Sequence, residues 1–311
     1  MASKDYLKLC EEAQNKKLKL AKKQEKQIKH IYNDMYLKVS RELKKVNPNT
    51  LSERYLEELQ KELAKEIKSI HKKIEKIVKN NIDKSTHLAN NVQLDFFMRI
   101  NEQYSLNMKD TFSSMFSKIP KVAIDEILFG EVYKDRKGLS ERIWQYTKKF
   151  DKDIDYIISE GIANKKSTYE IAKDLEIYVN LKVSKPWDWS NVYPNVSKSV
   201  DYNAQRLART AVNHAFQQAQ KRSCEKNPYV EGIRWISSNI HGRTCELCKE
   251  RDNQVFSVKD VPLDHPNGLC TTVPEIPMSL EEIGAELRAW IDGEKNIKLD
   301  KWFEEYRGDF L

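Results

Sequence analysis

Four residues have the types and the spacing to do chemistry. Cys245-Glu246-Leu247-Cys248 is a C-x2-C turn, His265 follows after sixteen intervening residues, and Cys270 after four more. Zinc takes four tetrahedral ligands and favours thiolates and imidazole. A C-x2-C turn presents two sulfurs together, and a later loop can supply the second pair. A module of about 45 residues has too small a core to stand alone, so a metal cross-link would have a physical purpose there. Cys245, Cys248, His265 and Cys270 are therefore the candidate ligands of a structural zinc ion. The bland alternative is a set of small buried residues, with His265 a satisfied polar group between Asp264 and Pro266.

Other chemistries fit these residues less well. A redox C-x-x-C needs a thioredoxin-like βαβ pattern around it, and none surrounds this one. A catalytic zinc keeps one position open for water, whereas four ligands close the site. A His-Asn-His nuclease needs further His or Asn ligands on a following helix, and no histidine follows His265. There is no phosphate-binding glycine loop and no serine nucleophile elbow. The expectation is a binding or structural protein, not an enzyme. The five cysteines are odd in number, and three fall between 245 and 270. That argues against a secreted disulfide framework and for assembly in a reducing cytoplasm.

The elements that must position these residues are mostly helical. The 311 residues are 40% hydrophobic with only nine glycines and nine prolines, which excludes a disordered chain. No apolar run approaches the ~18 residues of a membrane span. Residues 1–30 have no apolar stretch of the kind a secretory signal carries, so none is expected. Leu56, Leu59, Leu63, Ile67, Ile70, Ile74 and Ile77 step by three or four, one stripe of a long helix. Ile28, Ile31, Met35, Val39 and Leu43 make a matching stripe upstream. Asn47-Pro48-Asn49 reads as a turn, and Thr50 with Glu53 as a capping box. Together these predict an αα-hairpin.

Shorter helices are expected over 86–180, one beginning at Leu139 and one capped by Ser167 with Glu170. Residues 181–198, with Trp187 and Trp189 among Pro, Ser and Asn, read as a loop. From Ser199 a helix lines up Val200, Ala204, Ala208, Ala211, Ala215 and Ala219, beside a polar stripe of Arg206, Arg209, Asn213 and Gln217. That stripe is either a phosphate contact or ordinary solvated surface. Ile233 and Trp235, Val255-Phe256, and Thr271 to Val273 alternate as short strands. The predicted fold is mainly α. A helical region spans 1–180, its first 80 residues a basic hairpin. A loop over 181–198 leads to a small α+β zinc head at 199–277, and a helical tail covers 278–311.

Charge is uneven along this frame. Residues 1–80 hold 21 Lys and Arg against 12 Asp and Glu, while the whole chain nets only +7. A basic end on a near-neutral body suits a polyanionic partner. Lys16, Lys17, Lys19, Lys22, Lys23, Lys26 and Lys29 are the candidate nucleic-acid contacts; the alternative is a solvated lysine-rich helix.

The motifs in order resemble a family. Arg206-Leu207-Ala208-Arg209-Thr210 on a helix, Gly232-Ile233-Arg234-Trp235-Ile236, Arg243-Thr244-Cys245-Glu246-Leu247-Cys248, Asn253-Gln254-Val255-Phe256 and His265-Pro266-Asn267-Gly268-Leu269-Cys270 follow the order of the phage Mu F-like minor head proteins. The resemblance covers about residues 140 to 275. It departs at one point. The family usually ends this motif His-Pro-Asn-Cys-Arg-Cys, and here Gly268 and Leu269 replace the first Cys and the Arg. If relatives bind metal through the first Cys, the site here is altered; if through the second, all four ligands remain. The resemblance implies a minor capsid protein of a tailed bacteriophage, inside the capsid at the portal vertex and assembled in the host cytoplasm. It implies contact with the portal protein, with scaffold and major capsid protein, and with packaged double-stranded DNA without base readout. The apolar helical stripes would dock on the portal or on further copies of the chain. The rival readings are a stand-alone zinc-containing nucleic-acid-binding protein and a metal-dependent nuclease.

Overall fold

A computed structural model describes residues 4–45, 52–180, 201–238 and 244–310. The expected turn at Asn47-Pro48-Asn49 and its Thr50 cap, the 181–198 loop, Val200 and Arg243 lie outside them. The described chain is mainly helical with one small sheet. In order come α1 (Lys4–Lys44), α2 (Glu53–Tyr104), α3 (Lys109–Ser117), α4 (Ile119–Phe129), α5 (Leu139–Ala163), α6 (Thr168–Val179) and α7 (Tyr202–Glu225). Then follow β1 (Gly232–Ile236), α8 (Glu246–Arg251), β2 (Val255–Phe256), β3 (Thr271–Glu275), α9 (Leu280–Ile291) and α10 (Ile297–Phe310). None of the helices among the described residues is long and apolar enough to cross a membrane.

The chain divides into two compact units that interleave distant segments, and α1, α2 and α7 each contribute to both. One unit comprises 22–79 and 133–209. Here the sequence stripes become the core. Ile28, Tyr32, Met35 and Val39 of α1 are buried, and so are Leu56, Leu59, Leu63, Ile67, Ile70 and Ile74 of α2. Ile31 and Ile77 are only partly covered, and Tyr32 and Val78 take the inward positions. A helix of 3.6 residues per turn drifts away from a strict 3.5 repeat, so the seam passes to the neighbouring residue. Lys38 pairs with Glu66 at 2.8 Å across α1 and α2. Ser167 caps α6 as expected, its side chain accepting from Glu170 N while the Glu170 carboxylate accepts from Ser167 N at 2.7 Å.

The other unit comprises 1–21, 80–132 and 210–311. Its core draws Tyr6, Leu9, Cys10 and Ala13 from α1, Phe96, Phe97 and Ile100 from α2, Phe112, Met115 and Phe116 from α3, and Phe216 and Ala219 from α7. The 278–311 segment adds Leu280, Ile283, Leu287, Leu299 and Trp302 to the same core. Trp302 lies parallel to Phe97 with centroids 6.3 Å apart, and its indole N–H donates to Lys226 O at 2.8 Å. Each such large side chain contributes about 1.5–3 kcal/mol by burial.

The sheet has the order β2-β1-β3, antiparallel throughout. Ile233 faces Phe256 on one side and Pro274 on the other, and Trp235 faces Thr272. All three strands fall where the sequence alternation places them. Asn253 turns the chain into β2 with φ 62°, a left-handed conformation that Asn tolerates better than most residues.

Candidate metal centre

The C-x2-C lies on the opening turn of α8. Cys245 is extended, with φ −77° and ψ 164°, and its carbonyl accepts from Cys248 N and Lys249 N, both at 3.1 Å. That turn sets the two sulfurs together, Cys245 exposed and Cys248 buried. Cys270 immediately precedes β3 and is buried as well. Trp235 of β1 forms a small apolar cluster with Cys248 and Cys270, flanked by Phe256. The donor atoms of Cys245, Cys248 and His265 lie within 4.8 Å of one another, and so do those of Cys248, Asp264 and Cys270. Ligands about a tetrahedral zinc with 2.3 Å bonds to sulfur stand about 3.8 Å apart. Cys248 belongs to both groups, so Cys245 and His265 share it with Cys270 and Asp264, and this cluster could hold a metal ion.

The imidazole is set for the same purpose. His265 Nδ1 lies 3.1 Å from the carbonyl oxygen of Pro266. A carbonyl only accepts, so that contact is a hydrogen bond when Nδ1 carries a proton, and Nε2 lies 4.0 Å from Asp264 Oδ1. A backbone carbonyl fixing the tautomer is the usual support of a ligating histidine.

Asp264 organises the loop that carries His265 and Cys270. Its carboxylate accepts from His265 N at 2.9 Å, from Cys270 N at 3.0 Å and from Asn213 Nδ2 at 3.1 Å. Its oxygens are occupied by N–H donors, which makes it the frame of the ligand loop more than a ligand. Gly268 is part of this frame. A Cβ at that position would fall on the Asp264 carboxylate. The glycine that departs from the family pattern therefore makes room for the group that orders the loop.

The loop is fastened along one helix, α7. Asp264 N donates to Gln217 Oε1 at 2.9 Å, and His214 Nε2 lies 2.8 Å from Asp264 O. Asn267 N donates to Thr210 Oγ1 at 2.9 Å, and Gln220 Nε2 donates to Thr272 O at 3.0 Å. Residues 211–220 are all buried, polar ones included. This corrects the reading of Asn213 and Gln217 as a phosphate-binding or solvated stripe. They face the metal loop, where Asn213 Nδ2 donates to the Asp264 carboxylate and Gln217 Oε1 accepts from Asp264 N. Of the same stripe, Arg206 is exposed and Arg209 pairs with Glu25.

Lys17 is the second correction. It is 4% exposed, so a nucleic-acid backbone cannot reach it. Its ammonium donates to Asn213 Oδ1 at 2.7 Å and lies 4.7 Å from the centre of the Phe216 ring. Burial pulls the ammonium down to about 7, while Asp264 and Cys270 pull it back toward charge. Burial likewise pushes the Cys248 thiol well up, and Cys270, Cys245 and Asp264 push it further. Burial also raises Asp264, opposed by His265, the N–H groups of His265 and Cys270, and Lys17. A thiolate at Cys248 therefore needs a cation beside it. The other candidate lysines, Lys16, Lys19, Lys22, Lys23, Lys26 and Lys29, are exposed on α1.

No family model, no curated protein and no solved structure matches the chain.

Proposed function

We propose that this chain is a structural minor capsid protein of a tailed bacteriophage. Its metal centre braces a non-catalytic α+β head, and its basic N-terminal helix contacts packaged DNA. The observation that carries the reading is the convergence of three thiols and one imidazole, in the motif order of the Mu F-like minor head proteins, on a loop held by α7. The metal is zinc, bound by Cys245, Cys248, His265 and Cys270 as a knuckle. When bound it supplies a cross-link and no open coordination position. Asp264 and Gly268 shape the loop, and His265 presents Nε2. The six exposed lysines share one side of α1, spanning about 140° of the helix at 100° per residue. Such a face binds phosphates without reading bases. In this reading α1 and α2 form the hairpin whose remaining surface docks at the portal or on another copy. Scaffold and major capsid protein are its other assembly partners.

Three measurements on the full chain test this. Elemental analysis should give about one zinc per chain, lost in Cys248→Ser. Binding to unrelated DNA duplexes should be equal among sequences, with an affinity falling about as the fifth power of salt if all six lysines engage. Reversing Lys16, Lys19, Lys22, Lys23, Lys26 and Lys29 to Glu should abolish it. Co-expression with the portal, scaffold and major capsid proteins of the same phage should carry the chain into procapsids. Cleavage of the duplex, strong sequence preference or exclusion from procapsids would each overturn the reading.

A further inference from the structure

The buried lysine of α1 lies 196 residues from Asn213 in sequence, yet the two share a hydrogen bond beneath the metal loop. Among the described residues Lys17 is the only lysine or arginine that is buried. The chain of contacts is continuous. Lys17 holds Asn213, Asn213 holds the Asp264 carboxylate, and that carboxylate holds the backbone of both His265 and Cys270. We propose that Lys17 is a positioning residue of the metal centre, the buried hydrogen-bond donor through which metal loading and the seating of the start of α1 stabilise each other.

The charge count gives the direction. Three thiolates and a neutral imidazole around a divalent ion carry a net charge of −1. The Asp264 carboxylate adds another negative charge next to Cys270. A buried charge without a compensating one is strongly unfavourable. Lys17 is the buried amine in place, linked to that carboxylate through Asn213, and it arrives on α1 rather than on any segment of the metal head. The ammonium would otherwise be one of the worst residues to place on this seam. Tyr6, Cys10 and Ala13 precede it on the same buried side of α1 and belong to the core. A lysine in that row is tolerated because the anionic loop faces it. Linkage makes the effect reciprocal: if α1 favours the loaded centre, the loaded centre favours α1 in place.

This inference rests on the metal-site reading, and the test keeps the two separable. Hydrogen exchange of the wild-type chain, loaded with zinc and after chelation, is compared over residues 4–21 and over the metal loop. Chelation should speed exchange in both. Zinc affinity is then measured by competition with a chromogenic chelator for wild type, Lys17→Met, Asp264→Asn and the double variant. Lys17→Met keeps the length of the stem and removes the charge. It should lower affinity by about ten- to a hundred-fold, the usual cost of losing an outer partner of a metal site. It should also leave α1 exchange insensitive to zinc. The double variant should lose clearly less than the product of the two single losses, because one neutralised charge no longer needs the other. A merely structural lysine would give independent losses. Wild-type uptake of zinc with no change in α1 exchange overturns the coupling alone, as does unchanged affinity in Lys17→Met. A wild-type chain that takes up no metal overturns both the coupling and the site, and that comparison needs no variant to fold.

Discussion

Gly268→Cys places a thiol where the resembled family carries one, and it should weaken the metal centre. Among the described residues, glycines with positive φ are Gly130 and Gly293, so position 268 does not demand glycine for backbone reasons. The demand is for space, since a Cβ there meets the Asp264 carboxylate. That carboxylate cannot swing aside freely. Its side chain is fully buried, and it accepts from Asn213 at 3.1 Å, Cys270 N at 3.0 Å and His265 N at 2.9 Å. Hydrogen bonds to a charged acceptor are worth about 1.5–3 kcal/mol each. Losing two of them costs about 3–6 kcal/mol before relaxation, a large share of the ~5–15 kcal/mol that holds a domain folded. Gly268→Ala carries the same Cβ without the sulfur and serves as the control. Urea unfolding followed by tryptophan emission, and zinc competition, should show both variants destabilised and both with lowered zinc affinity. Tighter zinc binding by Gly268→Cys than by wild type would refute the reasoning. So would stability of both variants within about 0.5 kcal/mol of wild type, the range of an inconsequential surface change.

Two further outcomes follow from the burial pattern. Burial pushes the Cys10 thiol up to about 12 and holds Cys224 well above its ordinary value, while Cys245 is exposed. At pH 8 about one Cys10 in ten thousand is thiolate, so a thiol reagent should label Cys245 first in the metal-free native chain and spare Cys10 and Cys224 until unfolding; labelling of either at the rate of the denatured chain would contradict the buried placement. The second outcome concerns acid. Hydrogen bonds from Lys79 and Ser140 hold Glu75 below its ordinary value, so its contribution is present above the unfolded value and fades as pH falls through the folded one. The stability difference between wild type and Glu75→Gln should be constant near neutrality and shrink below about pH 4.3; a difference that grows with acid would be the wrong sign.

Much of the frame was legible because it is periodic. The stripes of α1 and α2, the Ser167 cap, the alanine row of α7 and the three strands are local patterns, and local patterns depend on the 3.6- and 2-residue repeats alone. The clustering of Cys245, Cys248, His265 and Cys270 was legible for a similar reason: spacing within a turn and within a short loop limits where sulfur and imidazole can go. What stayed hidden is long-range pairing. No repeat announces that the start of α1, α3 and the 278–311 segment share one core. Asp264 looked like the neighbour of a ligand because nothing local reveals that its oxygens reach Cys270 N and Asn213.

Lys17 shows how a visible signal was read wrongly. It lies among six other lysines within 16–29, and composition assigns all seven to one solvated or DNA-facing surface. Spacing separates them. Tyr6, Cys10, Ala13, Lys17, Gln24, Ile28 and Met35 advance by three, four or seven, and every one of them is buried. The other six lysines fall on the opposite side and are exposed. A charged residue on an apolar seam is a conflict between pattern and polarity, and such conflicts gather where a site must be held. The same conflict marks α7, whose buried decade 211–220 carries Asn213, His214, Gln217, Gln218 and Gln220. An inert core helix would replace these with apolar residues at less cost. Asn213, His214 and Gln217 instead bind the metal loop, Gln220 donates to Thr272 of β3, and Gln218 donates to Glu126 at 2.7 Å. The polar interior of α7 and the one buried lysine of α1 meet a single requirement: the backbone and the Asp264 carboxylate of a buried loop must find hydrogen-bond partners inside the fold.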